Sequence, residues 1–174
     1  MTATPQLRYK CHTCNDWHVG LPSPSAPHPY PYVLVPEAER GARCTLTPDQ
    51  CVVDGTEFYV RASLAIHVHE AGDPLLYGVW VSLSAEDYHR FSMLLDDRAR
   101  QPGESFFGWL CTPLSGYPDT LLLKTYIHVQ AWPNRPLVEL QPTAHPLSLD
   151  SHNGISVERA LELVAPYVAI AERR

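Results

Sequence analysis

A chain of 174 residues, 45% hydrophobic and 18% charged, suits a single domain whose core closes without help from disulfides. Its formal charge of -6 comes from acids and bases mixed along the chain, which leaves no basic stripe for a nucleic-acid backbone. The first apolar stretches are short and broken by Lys10, Asp16 and prolines, which excludes a secretory signal core and a bilayer span of about 20 residues.

The expectation is a soluble cytoplasmic protein without nucleic-acid or membrane partners. Proline is abundant, 17 residues against a usual share of roughly 5%, so many connections are stiff, irregular loops. Five cysteines are an odd number without an export signal. In a reducing compartment they read as metal ligands or buried thiols rather than disulfides.

The first element is the stretch YKCHTCNDWH, residues 9 to 18. Two thiolates three positions apart can converge on one zinc ion, and the turn after them needs a residue that tolerates positive φ, which Asn15 supplies. Two further ligands must come from elsewhere. His18 lies next door, and Cys44 and Cys51 stand in RCTLTPDQC; His12, inside the knuckle, points away from a tight site and ranks last. The arrangement read from the residues is Cys11, Cys14, Cys51 and either His18 or Cys44, a closed structural zinc site tying an N-terminal arm to the first strand. A redox dithiol is the weaker reading, because no helix start in a βαβ unit follows to lower a thiol pKa.

From Leu21 to Pro36 six prolines forbid most helix and ladder bonding, and this stretch reads as an arm. Strand patterns follow at Cys51–Val53, Phe58–Val60, Leu64–His69 and Leu76–Leu83, the first two separated by the hairpin dipeptide Asp54-Gly55. In LAIHVHE, alternation predicts Leu64, Ile66 and Val68 on a buried face and His67 and His69 on the other. The period then changes. Ser84 as cap, Glu86 and Asp87 in the first turn, and the stripe Tyr88, Phe91, Leu94 and Leu95 predict a helix.

Strands are expected again in FFGWLCT, in LLLKTYIHVQAW and at Leu137–Leu140. A second helix is capped by Ser156, runs through Val157, Ala160, Leu161, Val164 and Val168, and is shortened by Pro166. The fold expected is α+β: a mostly antiparallel sheet flanked by two helices, with an N-terminal Cys-x-x-Cys zinc knuckle. Residues 1–174 form one domain, with 1–54 as knuckle arm and first strand and 55–174 as sheet and helices.

The blocks YKCHTCNDWHVGLP, RCTLTPDQCVVDG, YGVWVSLS, GWLCTPLSGYPDTLLLKT and RPLVELQPTAHPLSLDSHNGIS, taken in this order, resemble the bacterial family catalogued as domain of unknown function 2199. The resemblance implies a single-domain bacterial protein and promises no activity. It favours Cys11, Cys14, His18 and Cys51 as the ligand set and leaves Cys44 a substitute. The chain departs from the family pattern at Asn15, where glycine is common. Two polar blocks of that pattern, around Asp119 and His145, suggest a ligand pocket of Trp80, Trp109, Tyr117, Asp119, Lys124 and His145. The plainer reading has Asp119 capping a turn and His145 bonding a loop carbonyl.

Nucleophile elbows, phosphate loops, dinucleotide fingerprints and zincin helices are absent from the sequence. The sequence supports a zinc-stabilised module that binds a protein or small-molecule partner. Its rival is a small hydrolase, using a second metal on His67, His69 and His128 or a thiol nucleophile at Cys111 with His145 or His128 as base.

Overall fold

A computed structural model describes residues 7–173; the outer ends of the expected arm and domain, residues 1–6 and 174, lie outside it. Elements follow in chain order: β1 (Leu7–Lys10), β2 (Trp17–Val19), α1 (Tyr30–Leu34), α2 (Glu37–Arg43), β3 (Cys44–Leu46), β4 (Gln50–Val53), β5 (Glu57–Ile66) and β6 (Leu75–Leu83). Then come α3 (Ala85–Asp96), β7 (Ser105–Leu110), β8 (Lys124–His128), β9 (Leu137–Leu140), α4 (Pro146–Asn153), α5 (Val157–Val164), a 3-10 turn at Ala165–Tyr167 and β10 (Ile170–Arg173).

The chain is α+β, but the sheet is not an open layer between two helices. Strands β5 to β9 pair antiparallel in sequence order, and β9 returns to β5 through a parallel pairing of Ser63 with Leu137. The result is a five-stranded barrel, extended beyond β5 by β4 and β3. Val60, Ala62, Leu64 and Ile66 of β5 face Val79 and Val81 of β6 and Ile127 of β8 in its core, all of them at 1% exposure or less. Closure pairs β9 back onto β5, which leaves β3 as the edge of the sheet, and buries the alternating apolar residues of the barrel strands at once.

Helix α3 starts where Ser84 accepts the Asp87 backbone N–H at 3.1 Å, and α5 where Ser156 accepts that of Arg159 at 3.1 Å. Both expected helices are present. Three more exist among the described residues, and each has a local reason. α1 interrupts the proline-rich arm, with Pro31 in its first turn, where the missing N–H has no partner to lose; α2 follows the arm, with Glu37 and Glu39 in its first turn and Arg40 and Arg43 in its last, charges that suit the helix dipole. α4 spans the HPLSLD block; Pro146 opens it and His145 caps it through Nδ1, which accepts from Leu147 N at 3.1 Å.

The arm also makes a ladder contact. Gly78 N–H donates to Pro24 O at 2.9 Å and Ala26 N–H to Gly78 O at 3.0 Å, and a Cβ at position 78 would collide with Ser25. Trp80, pointing out of the barrel, is thereby roofed completely. It joins Val35, Cys51, Val53, Tyr59 and Cys111 in a second apolar cluster, with its indole N–H donating to Ala26 O at 3.0 Å.

Strand β5 stops at Ile66, short of the strand end expected at His69; Val68 instead bridges to Ile155. At the chain ends, β1 pairs with β2 and with β10, and Leu7 anchors this small sheet to the main core.

Leu64→Ala, in the barrel core, is expected to destabilise the protein by about 2–5 kcal/mol, whereas Met93→Ala, on the exposed face of α3, should change stability by less than about 0.5 kcal/mol. Chemical denaturation of the two variants beside wild type measures both.

Candidate metal centre

Between β1 and β2 the chain turns through Cys11 to Asp16. Cys11 N–H donates to Asp16 O and Asn15 N–H to Cys11 O, both at 3.0 Å, so the loop closes on itself as a knuckle. Asn15 takes φ 60°, the left-handed conformation that asparagine tolerates better than most residues. The β1–β2 register sets Tyr9 opposite His18, and their rings stack with centroids 5.2 Å apart. That stacking holds the imidazole over the knuckle.

The ligand atoms of Cys11, Cys14 and His18 all lie within 4.8 Å of one another, with His18 Nε2 3.1 Å from Cys14 Sγ. Two soft sulfurs and an imidazole nitrogen at this spacing form a donor set that could hold a metal ion. Cys14 and His18 are exposed and Cys11 is half-buried. Backbone N–H groups of Cys14 and then Thr13 hold the Cys11 thiol below its usual pKa, the Thr13 N–H lying 3.3 Å from Sγ. Those donors favour the thiolate, the form that binds metal.

Cys51 does not join them. On β4 it alternates with Val53 into the second apolar cluster and is 1% exposed, and burial, with Cys44 nearby, pushes its thiol up to about 12. Cys44, half-buried at the start of β3, packs beside that cluster. Strand alternation fixes both, a constraint that the spacing of DQC alone does not reveal. His12 is exposed within the knuckle and outside the group of three.

The second metal site expected at His67, His69 and His128 is not assembled. His67 and His69 are exposed and meet edge to face, with centroids 5.2 Å apart, while His128 is engaged by Ser105 and Glu139. Among the described residues, Cys11, Cys14 and His18 are the one group of three or more metal-ligating side chains brought this close. Cys111 donates to Trp109 O at 3.3 Å, and burial raises it to about 11, a protonated thiol rather than a nucleophile.

The six residues of the expected ligand pocket are dispersed among structural tasks. Trp80 has no exposed surface and cannot wall an open pocket. Asp119 caps a turn by accepting from Leu121 N at 3.0 Å, while His145 caps α4 and places Nε2 3.0 Å from Asp119 O. Tyr117 donates to Asp150 at 2.8 Å. Lys124 and Trp109 do meet, ammonium over indole at 5.7 Å, on the outer face of the barrel.

A bacterial family described as uncharacterised proteins conserved in bacteria (DUF2199) matches residues 10–155. The chain belongs to this family. The matched stretch holds the knuckle, the arm, the whole barrel and α4, so the three gathered donors are within it. Neither the curated proteins nor the solved structures hold a match to the chain. No helix among the described residues is long and apolar enough to cross a membrane.

In metal-free protein near neutral pH, iodoacetamide should modify Cys11 well before Cys51 and Cys111, which become reactive only on unfolding. The direction follows from the thiolate fraction: a lowered pKa raises it at a given pH, and raised values near 12 and 11 leave almost none. Peptide mass mapping over a time course reads the order.

Proposed function

We propose that this chain is a zinc-bearing binding module of the bacterial cytoplasm. Cys11, Cys14 and His18 are its zinc ligands, and the fourth position is filled by water or by a donor from a partner. The observation that carries the reading is the convergence of three soft donors at the tip of one hairpin. Thiolate and imidazole together favour zinc over the hard cations that prefer oxygen. The cysteines, all free, suit a reducing compartment.

With Cys51 elsewhere, the ion has a more local task than fastening the arm to the first hairpin. It pins the turn between β1 and β2, and with it the three-stranded sheet that joins the two chain ends. In small zinc peptides an ion contributes roughly 10–16 kcal/mol of apparent folding energy; a barrel with its own core needs far less of it, so metal loss should loosen the hairpin and leave the barrel folded.

A small ligand could also be held beside the arm. A cavity of about 220 Å³ lies between the arm and β6, lined by Pro24, Pro27, Tyr77, Pro113 and Tyr167 among others. That exceeds the ~150 Å³ that accommodates benzene.

Elemental analysis of protein purified under reducing, zinc-replete conditions tests the metal assignment. Wild type and Cys51→Ser should each carry one zinc per chain, and Cys14→Ser should carry none. Metal-free wild type refutes the site, and loss of zinc from folded Cys51→Ser shows that the three donors named here are not the ligand set.

A further inference from the structure

The outer face of β7, β8 and β9 presents a grid of side chains set by strand register. Ser105, His128 and Leu137 form one row, Phe107, Tyr126 and Glu139 the next, and Trp109 and Lys124 a third. All are exposed except the half-exposed His128. Within the grid three polar side chains are linked. Ser105 Oγ lies 2.6 Å from His128 Nδ1, and His128 Nε2 lies 2.7 Å from Glu139 Oε2.

The protonation pattern follows from donor chemistry. A carboxylate only accepts, so Nε2 must carry the proton that reaches Glu139. In the neutral ring Nδ1 is then a lone-pair acceptor, and the Ser105 hydroxyl donates to it. Val129 N–H donates to Glu104 O at 2.9 Å, which makes Ser105 and His128 a non-hydrogen-bonded pair, the kind in which facing side chains approach most closely. Register thus assembles a hydroxyl, a base aimed at it and an anion orienting the base, the logic of an activated nucleophile.

Beside this relay the same face carries uncovered apolar surface. Phe107 and Tyr126 meet with ring centroids 5.6 Å apart, and they and Leu137 are 38%, 45% and 40% exposed. We propose that Ser105 is the nucleophile of an acyl-transfer site, acting on esters whose apolar part rests on Phe107, Tyr126 and Leu137.

In the first half-reaction Ser105 Oγ bonds to the ester carbonyl carbon and its proton passes to His128 Nδ1. The bond to the leaving oxygen breaks, and the departing alcohol takes that proton. Water then attacks the acyl-serine, its proton passes to His128 and on to Ser105 Oγ, and a carboxylic acid leaves. Ser105 and His128 touch the reacting atoms; Glu139 is a positioning residue that fixes the tautomer and balances the transient imidazolium.

The test uses the intact, metal-replete protein with p-nitrophenyl butyrate and a fluorophosphonate probe, which loses fluoride as its phosphorus bonds to an activated serine. Wild type should release a burst of one nitrophenolate per chain and carry the probe on Ser105 by peptide mapping. Ser105→Ala should lose both while keeping its circular dichroism. His128→Gln should lower kcat by roughly 10²–10⁴-fold with KM unchanged. Glu139→Gln should lower kcat with KM unchanged, and Phe107→Ala should raise KM. Absence of label on folded wild type, label on another residue, a burst that survives Ser105→Ala, or unchanged kcat in His128→Gln overturns the proposal.

Discussion

The pairing of Ser63 with Leu137, which brings the last barrel strand back to the first, is the contact on which the remaining architecture depends. Five strands joined this way bury their inner faces in one core, which Phe91 of α3, Leu147 of α4 and Val157, Ala160, Leu163 and Val164 of α5 complete. The consequence is that every remaining question concerns the outside. On β4 to β6 the outward residues Cys51, Tyr59 and Trp80 are large or apolar, and the proline-rich arm lies over them. On β7 to β9 the outward residues mix aromatic and polar groups, and among the described residues no other element roofs Phe107, Tyr126 or Leu137.

The arm shows how proline can serve a covering role. Fixed φ values and missing donors make it a poor strand, yet two backbone bonds to Gly78 and a third from Tyr30 N–H to Cys111 O hold it in place over Trp80. Apolar contact does the rest: Val35, Tyr32 and Ala26 pack on the same cluster. Cys51 and Cys111 sit beneath this cover, and desolvation keeps both protonated. The chain therefore separates its thiols into two chemistries. One pair, Cys14 exposed and Cys11 half-buried, stands beside an imidazole, and the buried ones act as small apolar side chains.

The knuckle stands apart from both cores. Its geometry depends on a hairpin of a few residues, the left-handed turn at Asn15 and the Tyr9–His18 stack, all of them local interactions. Coupling to the rest of the molecule runs through β1, by way of Leu7 in the main core and an ion pair between Arg8 and Glu172 of β10. An ion bound there would act first on the β1–β2 turn and through β1 on the strand that closes the chain's C-terminal end.

Sequence alone determined what depends on near neighbours. The alternation of Leu64, Ile66 and Val68, the Ser84 and Ser156 caps, the Asp54-Gly55 turn and the pairing of Cys11 with Cys14 are all short-range, because strand period, helix capping and knuckle spacing involve residues only a few positions apart, while spacing left His18 and Cys44 as alternatives. Cys51 escaped that logic: its direction depends on which face of β4 the arm covers, and Trp80, read as a pocket wall, is buried for the same reason. Helix α4 left little periodic signal, since it is fixed by a histidine cap and a proline at its start and by Gly154 at its end rather than by an apolar stripe. Only tertiary structure decided that the sheet closes, that the arm covers one outer face, and that Ser105, His128 and Glu139 align. Those outcomes rest on pairing between strands whose register is set by the packing of the whole barrel, information that no local stretch of the chain contains.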